Sequence, residues 1–185
     1  MSKRSERVCP VERAGALDTR LRRWLQVPNK ILSPYIREGM TVLDLGCGPG
    51  YFSIEMARLV GENGRVIAGD LQQGMLDKVR EKIQGSELER RITLLKCEED
   101  RIGLDEPVDF VLAFYVVHEI PDQDHFYHEV ASLLAEGGSV LVVEPPFHVT
   151  KKKFAASLQL ARQAGLDSGP GPRVPFCKTA LLTGR

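Results

Sequence analysis

One stretch restricts this chain's local structure more than any other: Thr41-Val42-Leu43-Asp44-Leu45-Gly46-Cys47-Gly48-Pro49-Gly50-Tyr51-Phe52. An apolar run ends in an acid, three glycines follow at alternate positions, and a helical pattern begins at once. The expected structure is a buried strand feeding a tight turn into a helix. Glycine permits backbone angles closed to other residues and lets a ligand lie directly on the main chain. A dinucleotide-binding turn needs Gly-x-Gly-x-x-Gly. Here the third glycine comes one residue early, and Asp44 sits two residues before the first. A carboxylate there suits a ligand carrying an ammonium or sulfonium better than a diphosphate. Taken alone, the stretch also fits a purely structural strand-to-helix turn.

Four further segments follow in order. Val66-Ile67-Ala68-Gly69-Asp70-Leu71 is a second β-branched run ending in an acid, 20 residues beyond Gly50. An acid at the end of the second strand can accept hydrogen bonds from both hydroxyls of a ribose; the alternative for Asp70 is a cap on a helix over Gln72–Lys82. Next come Ile92-Thr93-Leu94-Leu95-Lys96-Cys97-Glu98-Glu99, then Val108-Asp109-Phe110-Val111-Leu112-Ala113-Phe114-Tyr115-Val116-Val117-His118-Glu119-Ile120-Pro121-Asp122. The last is Leu134-Ala135-Glu136-Gly137-Gly138-Ser139-Val140-Leu141-Val142-Val143-Glu144-Pro145-Pro146, read as a helix end, a Gly-Gly turn and a strand.

Together these segments resemble the ordered motifs of the class I S-adenosylmethionine-dependent methyltransferases, whose first motif is acidic-x-Gly-x-Gly-x-Gly. The resemblance runs roughly from Ile31 to Val149. It implies a Rossmann-like α/β fold: a doubly wound sheet, mostly parallel, with an antiparallel last strand and helices on both faces. It implies S-adenosylmethionine as cofactor and S-adenosylhomocysteine as product. By the same resemblance Asp44, Gly46, Cys47, Gly48 and Gly50 hold the amino acid end, Asp70 holds the ribose, and Leu71 faces the adenine. Glu98 takes the place of the acid that accepts the adenine amino group. Glu99 and Ala113 complete the cofactor-binding set. Cys97-Glu98-Glu99 departs from the family's usual Gly-Asp-Ala at all three positions.

Length and charge bound the rest. At 185 residues, a single domain spanning 1–185 is expected, with 1–37 as a helical lid or substrate segment and 38–185 as the cofactor-binding core. The formal net charge is zero, so no overall basic excess advertises nucleic acid. The first 23 residues are locally basic, which fits a phosphate-facing surface or, more simply, a solvated face. No apolar run approaches the ~20 residues needed to span a membrane, and no membrane partner is expected. The N-terminus lacks an apolar signal core. Cys9, Cys47, Cys97 and Cys177 are scattered without a CxxC pair, which fits a reducing cytoplasm.

Leu17, Leu21, Trp24 and Leu25 recur at helical spacing, and a short second helix over Lys30–Ile36 is expected before the first strand. Stripes at Phe52/Met56/Leu59/Val60, Leu76/Val79/Ile83, Phe126/Val130/Leu133/Leu134 and Phe154/Leu158/Ala161 mark four more helices. Thr150 is the expected N-cap of the last, and Gly165 its end. Strand four is expected to end near Ala113, leaving Phe114, Tyr115 and His118 on the loop below the methyl group. His118 is the first candidate general base, with Tyr115 and Glu119 as further catalytic candidates and Glu144 close by. His118 could equally order that loop through backbone bonds. His125 and His128, at i, i+3, are read as surface residues, and no metal is expected. Cys9 and Cys97 invite a thiol-based reading, and Cys9, Trp24 and Tyr35 are candidates for the acceptor side.

The function expected from all of this is methyl transfer to a small-molecule acceptor. A non-catalytic S-adenosylmethionine-binding module, or a methyltransferase acting on protein or RNA, stand as alternatives.

Overall fold

A computed structural model describes residues 26–185. The expected helix over Leu17–Leu25, with Cys9 and Trp24, lies outside the described residues. The chain runs through α1 (Pro28–Leu32), β1 (Thr41–Leu45), α2 (Ser53–Leu59), β2 (Arg65–Asp70), α3 (Gln73–Ile83) and β3 (Ile92–Lys96). It continues through β4 (Val108–Phe114), α4 (Gln123–Leu133), β5 (Leu134–Glu144), α5 (Lys151–Gln163), β6 (Leu166–Pro170) and β7 (Lys178–Gly184). The seven strands form one sheet in the order β3-β2-β1-β4-β5-β7-β6. β1 to β5 are parallel, and β7 is antiparallel to both β5 and β6. The strand order reverses between β1 and β4, where an open sheet leaves a crevice at its carboxyl edge.

Alternation along β1, β2, β4 and β5 sends successive side chains to opposite faces, and both faces are covered. Ile31, Leu32, Phe52, Met56, Leu76 and Val79 pack on one face, against Val42, Phe110, Leu112 and Leu141. Phe126, Tyr127, Val130 and Ala161 pack on the other, against Leu43, Val111, Val140 and Val142. The central strands are therefore nearly continuous apolar runs, as parallel strands buried on both faces must be.

Three details differ from the sequence expectations. α1 starts at Pro28 and ends at Leu32 rather than Ile36; Ser33 keeps helical backbone angles, but Pro34 has no N–H to bond back along the helix, so the regular ladder stops there. β4 runs one residue further, to Phe114. The expected Gly-Gly turn lies inside β5: its register on β4 shifts between Val108 and Phe110, and Gly137 has a φ of +77°.

Candidate active site

The glycine turn is built as its composition predicts. Gly46, Gly48 and Gly50 take φ values of +65°, +53° and +81°. A Cβ on Gly46 would come within 2.8 Å of Val116 Cγ2, so the turn is closed against the loop that follows β4. Asp44 is 2 % exposed, and its Oδ2 accepts from Ser53 Oγ at 2.5 Å. Ser53 opens α2 and escaped the sequence reading; the signal was a hydroxyl at the helix start, nine residues after a buried acid. The bond fixes the Asp44 carboxylate beneath the turn.

Asp70 ends β2. Its Oδ2 accepts from Gly48 N at 2.9 Å and its Oδ1 from Gln72 N at 2.8 Å. It thus ties the glycine turn to the chain entering α3, whose N-cap is Gln72 with no side-chain cap bond, so Asp70 is not the helix cap that its position also allowed. Burial raises its pKa, while the bonds from Gln72 and Gly48 and the charge of Lys96 oppose that rise. Lys96 Nζ donates to Leu71 O at 2.6 Å, which orders the residue next to Asp70. Glu98 is exposed, and its backbone N–H donates to Arg101 O at 2.9 Å.

Two cysteines lie under this region. Burial pushes the Cys47 thiol well up, and Asp44 and Asp70 add to that. Burial and then Asp70 push Cys97 up to about 12. A Cβ on Gly69 would sit 3.1 Å from Cys97 Sγ. Burial thus favours the thiol form of both, whereas the thiolate is the nucleophile and metal ligand.

The candidate acceptor side comprises the segments after β4 and β5. Tyr115 has a φ of +63°, rare for a bulky residue and concentrated at functional sites. Its backbone N–H donates to Val143 O at 2.8 Å. Its hydroxyl accepts from Gln26 Nε2 at 2.6 Å and lies 2.9 Å from Cys177 Sγ. Tyr51, Phe52, Phe114 and Tyr115 form a continuous aromatic run, with Phe52 and Phe114 centroids 4.3 Å apart and Phe114 and Tyr115 centroids 4.5 Å apart. Tyr35 instead stacks on Phe110 in the core.

His118 lies in a 3₁₀ turn, Val117–Glu119. Its Nδ1 is 2.6 Å from Glu144 Oε2 at the end of β5. Glu144 is 2 % exposed, and its Oε1 has no hydrogen-bond partner among the described residues. Burial alone would lower the His118 pKa, but the Glu144 hydrogen bond, its charge and that of Glu119 reverse this, and the net shift is upward. His148, in the loop after β5, stacks on His118 with centroids 6.0 Å apart. His118 and Glu144 are thus brought together, and Glu119 acts on them through its charge. Gln26, His148 and Cys177 escaped the sequence reading because they belong to three separate segments with no shared spacing. Among the described residues, no group of three or more His, Cys, Asp or Glu is arranged to hold a metal.

Comparison with known proteins agrees with this geometry. A family described as methyltransferase domain matches residues 36–166. A crystal structure of a SAM-dependent methyltransferase from Aquifex aeolicus superposes with a TM-score of 0.82 at 27% identity, over 95% of this chain and 97% of that one. A demethylmenaquinone methyltransferase from Lactobacillus johnsonii is 33% identical over 110 residues, 59% of this chain and 45% of the relative. A ubiquinone/menaquinone biosynthesis C-methyltransferase from Pseudoalteromonas translucida is 31% identical over 128 residues, 67% of this chain and 51% of the relative. The chain spans about half the length of these curated relatives. It belongs to the methyltransferase domain family, in its class I S-adenosylmethionine-dependent form.

The site's own chemistry fits that cofactor. A fixed carboxylate lies two residues before the first glycine, a charge suited to a cationic ligand end, and Asp70 carries two carboxylate oxygens at the end of β2. The positive φ values of the three glycines set the tight turn, with Val116 packed against Gly46 and Val79 against Gly50.

Proposed function

We propose that this chain transfers the methyl group of S-adenosylmethionine to a small-molecule acceptor whose reacting group loses a proton at His118. The observation that carries this reading is the contact of His118 with buried Glu144, one strand away from the glycine turn. S-adenosylmethionine supplies a methyl already activated by its sulfonium: as the acceptor's bond to carbon forms, the carbon–sulfur bond breaks and its electrons stay on sulfur. Asp44 and the turn at Gly46–Gly50 hold the amino acid end, and Asp70 holds the ribose. Leu71, Glu98 and Glu99 lie toward the adenine, with Ala113 in the strand behind the reacting centre.

Tyr115, backed by the buried rings of Phe52 and Phe114, helps to exclude water and favours a sulfonium through cation–π attraction. With Nδ1 donating to Glu144, Nε2 of His118 is left as the basic position and takes the acceptor's proton. Glu144 fixes the ring and stabilises the imidazolium that results. A base of this kind is needed when the acceptor is protonated at neutral pH, as a hydroxyl or an acidic ring C–H is. The relatives' names make demethylated quinols the first acceptors to try.

The test is a metabolite-mixture screen for S-adenosylhomocysteine with the intact chain, spiked with reduced demethylmenaquinone. Acceptor-dependent product that falls with His118→Asn at unchanged cofactor affinity is the expected result. Cofactor binding with no turnover on any small molecule, protein or RNA fraction would leave a non-catalytic binding module and overturn the reading.

A further inference from the structure

Among the described residues, two phenylalanines stand out as the large apolar residues left in water: Phe147, 95% exposed, and Phe176, 79% exposed. They are far apart in sequence and close in topology. Glu144 pairs with Lys178 across β5 and β7, so the loop after β5 and the loop before β7 leave the sheet at the same end. Each loop is pinned by a buried valine two residues away, Val149 at 5% and Val174 at 4% exposure. Each phenylalanine is also the neighbour of a site residue. His148 stacks on His118, and Cys177 touches the Tyr115 hydroxyl. The two rings therefore flank the mouth of the acceptor side.

The charge around them is one-sided. From residue 145 to 185 the chain carries Lys151, Lys152, Lys153, Arg162, Arg173, Lys178 and Arg185, against Asp167 alone. Asp167 lies at the far end of β6, where it pairs with Arg185. Lys151, Lys152 and Lys153 are exposed and form the first turn of α5, which holds no acid. Three cations at a helix N-terminus oppose the helix dipole. Phe176 adopts a φ of +64°, a backbone conformation that bulky residues avoid. Neither folding nor local preference accounts for these residues, and such inconsistencies mark functional positions. The exposed acids at this end of the sheet, such as Glu98, Glu99, Asp122 and Asp124, follow β3 and β4, and Glu144 of β5 is buried against His118, which leaves the exposed β5–β7–β6 edge basic.

We propose that this edge is a docking face for an anionic lipid surface, with Phe147 and Phe176 entering the interface and Lys151–Lys153, Arg173 and Lys178 facing the headgroups. Apolar tips ringed by cations are the arrangement of an interfacial anchor. A single-stranded nucleic acid would call for a continuous basic groove instead. No helix among the described residues is long and apolar enough to cross a membrane; docking revises the expectation of no membrane partner without requiring a span. The face opens beside His118, so the acceptor would be delivered from the bilayer. That last point rests on the methyl-transfer reading, whereas lipid binding does not.

Sedimentation of the intact chain with vesicles of phosphatidylglycerol and phosphatidylcholine in equal parts tests this at low salt, with S-adenosylhomocysteine affinity as the folding control. Binding is expected to weaken roughly a hundredfold in the Lys151→Gln/Lys152→Gln/Lys153→Gln variant, from about a fivefold loss per lysine. It is expected to weaken roughly a hundredfold in Phe147→Ala/Phe176→Ala, and to fall with salt, while the control stays unchanged. Equal binding to pure phosphatidylcholine, no binding to either vesicle, or tight binding of a single-stranded RNA oligonucleotide with none to vesicles would each overturn the proposal. A chain that binds vesicles but turns over no acceptor would leave the docking face standing and remove the methyl-transfer reading.

Discussion

At the residue scale, Glu144 is the side chain with the most to explain. A buried carboxylate oxygen without a partner is costly, and buried polar groups are otherwise nearly all hydrogen-bonded. The proposed role gives it a function: its other oxygen orients His118 and raises that ring's pKa. In Glu144→Gln the His118 pKa should fall, so the rise of activity with pH moves to lower pH while the plateau rate drops. Imidazole proton NMR and a pH–rate profile read the two effects separately. If neither moves, Glu144 is only packing. The same shift fixes a stability trend. The folded pKa of His118 lies above its unfolded value of about 6.5. The pair's contribution is therefore fully present below that unfolded value and is lost as pH rises through the folded one. His118→Asn should then cost more stability at about pH 6 than at about pH 9, as read by urea denaturation; an equal cost at both would show that the contact is not ionic. Asp70→Ala removes an acceptor proposed for the ribose hydroxyls, charge-assisted bonds worth roughly 1.5–3 kcal/mol each. Affinity for S-adenosylhomocysteine should drop roughly ten- to a hundredfold by calorimetry; an unchanged affinity would remove Asp70 from the cofactor site.

At the scale of elements, α5 sets stability against the proposed docking face. Thr150 Oγ1 accepts from Lys153 N, so Thr150→Ala should cost about 1 kcal/mol. Lys152→Glu replaces a cation with an anion at the positive end of the dipole and should stabilise by about 0.3–1 kcal/mol, while weakening vesicle binding. Thermal denaturation of the two variants checks the opposed signs; destabilisation by Lys152→Glu would mean that the lysine makes a native contact of its own. The helices were legible in the sequence because each repeats an apolar stripe at helical spacing, and the Thr150 cap and the Gly165 end, φ +88°, follow their residue types. The central strands were legible as apolar runs ending in Asp44, Asp70 and Glu144. β6 offered little: Leu166 is its one buried residue, and Gly169 and Pro170 argue against a strand away from an edge. The acceptor side was least legible. It joins Gln26, Tyr115, His118, Glu144, His148 and Cys177 from segments whose meeting depends on strand order, which no local spacing encodes.

At the scale of the whole molecule, the proposed cofactor site ties one half of the fold together. Asp70 bonds the β1–α2 turn to the start of α3, Ser53 bonds α2 to β1, and Gly46 packs on the loop after β4. A ligand gripping all of these should stabilise the entire cooperative unit. At a hundred times its Kd, a ligand specific for the native state adds about 2.7 kcal/mol. For a domain of this size each kcal/mol raises Tm by about 2–4 °C, so S-adenosylhomocysteine should raise Tm by roughly 5–10 °C. Asp70→Ala, at the same ligand concentration, should lose most of that gain. NADH should give none, because the third glycine comes one residue early for a pyrophosphate and Asp44 would face its charge. Scanning calorimetry distinguishes these outcomes. Equal shifts from NADH and S-adenosylhomocysteine would mean that the glycine turn takes any adenosine ligand and that its acid does not select the charge at the other end. A shift from S-adenosylhomocysteine alone, abolished by Asp70→Ala, would identify the bonds through which cofactor binding reaches the rest of the fold.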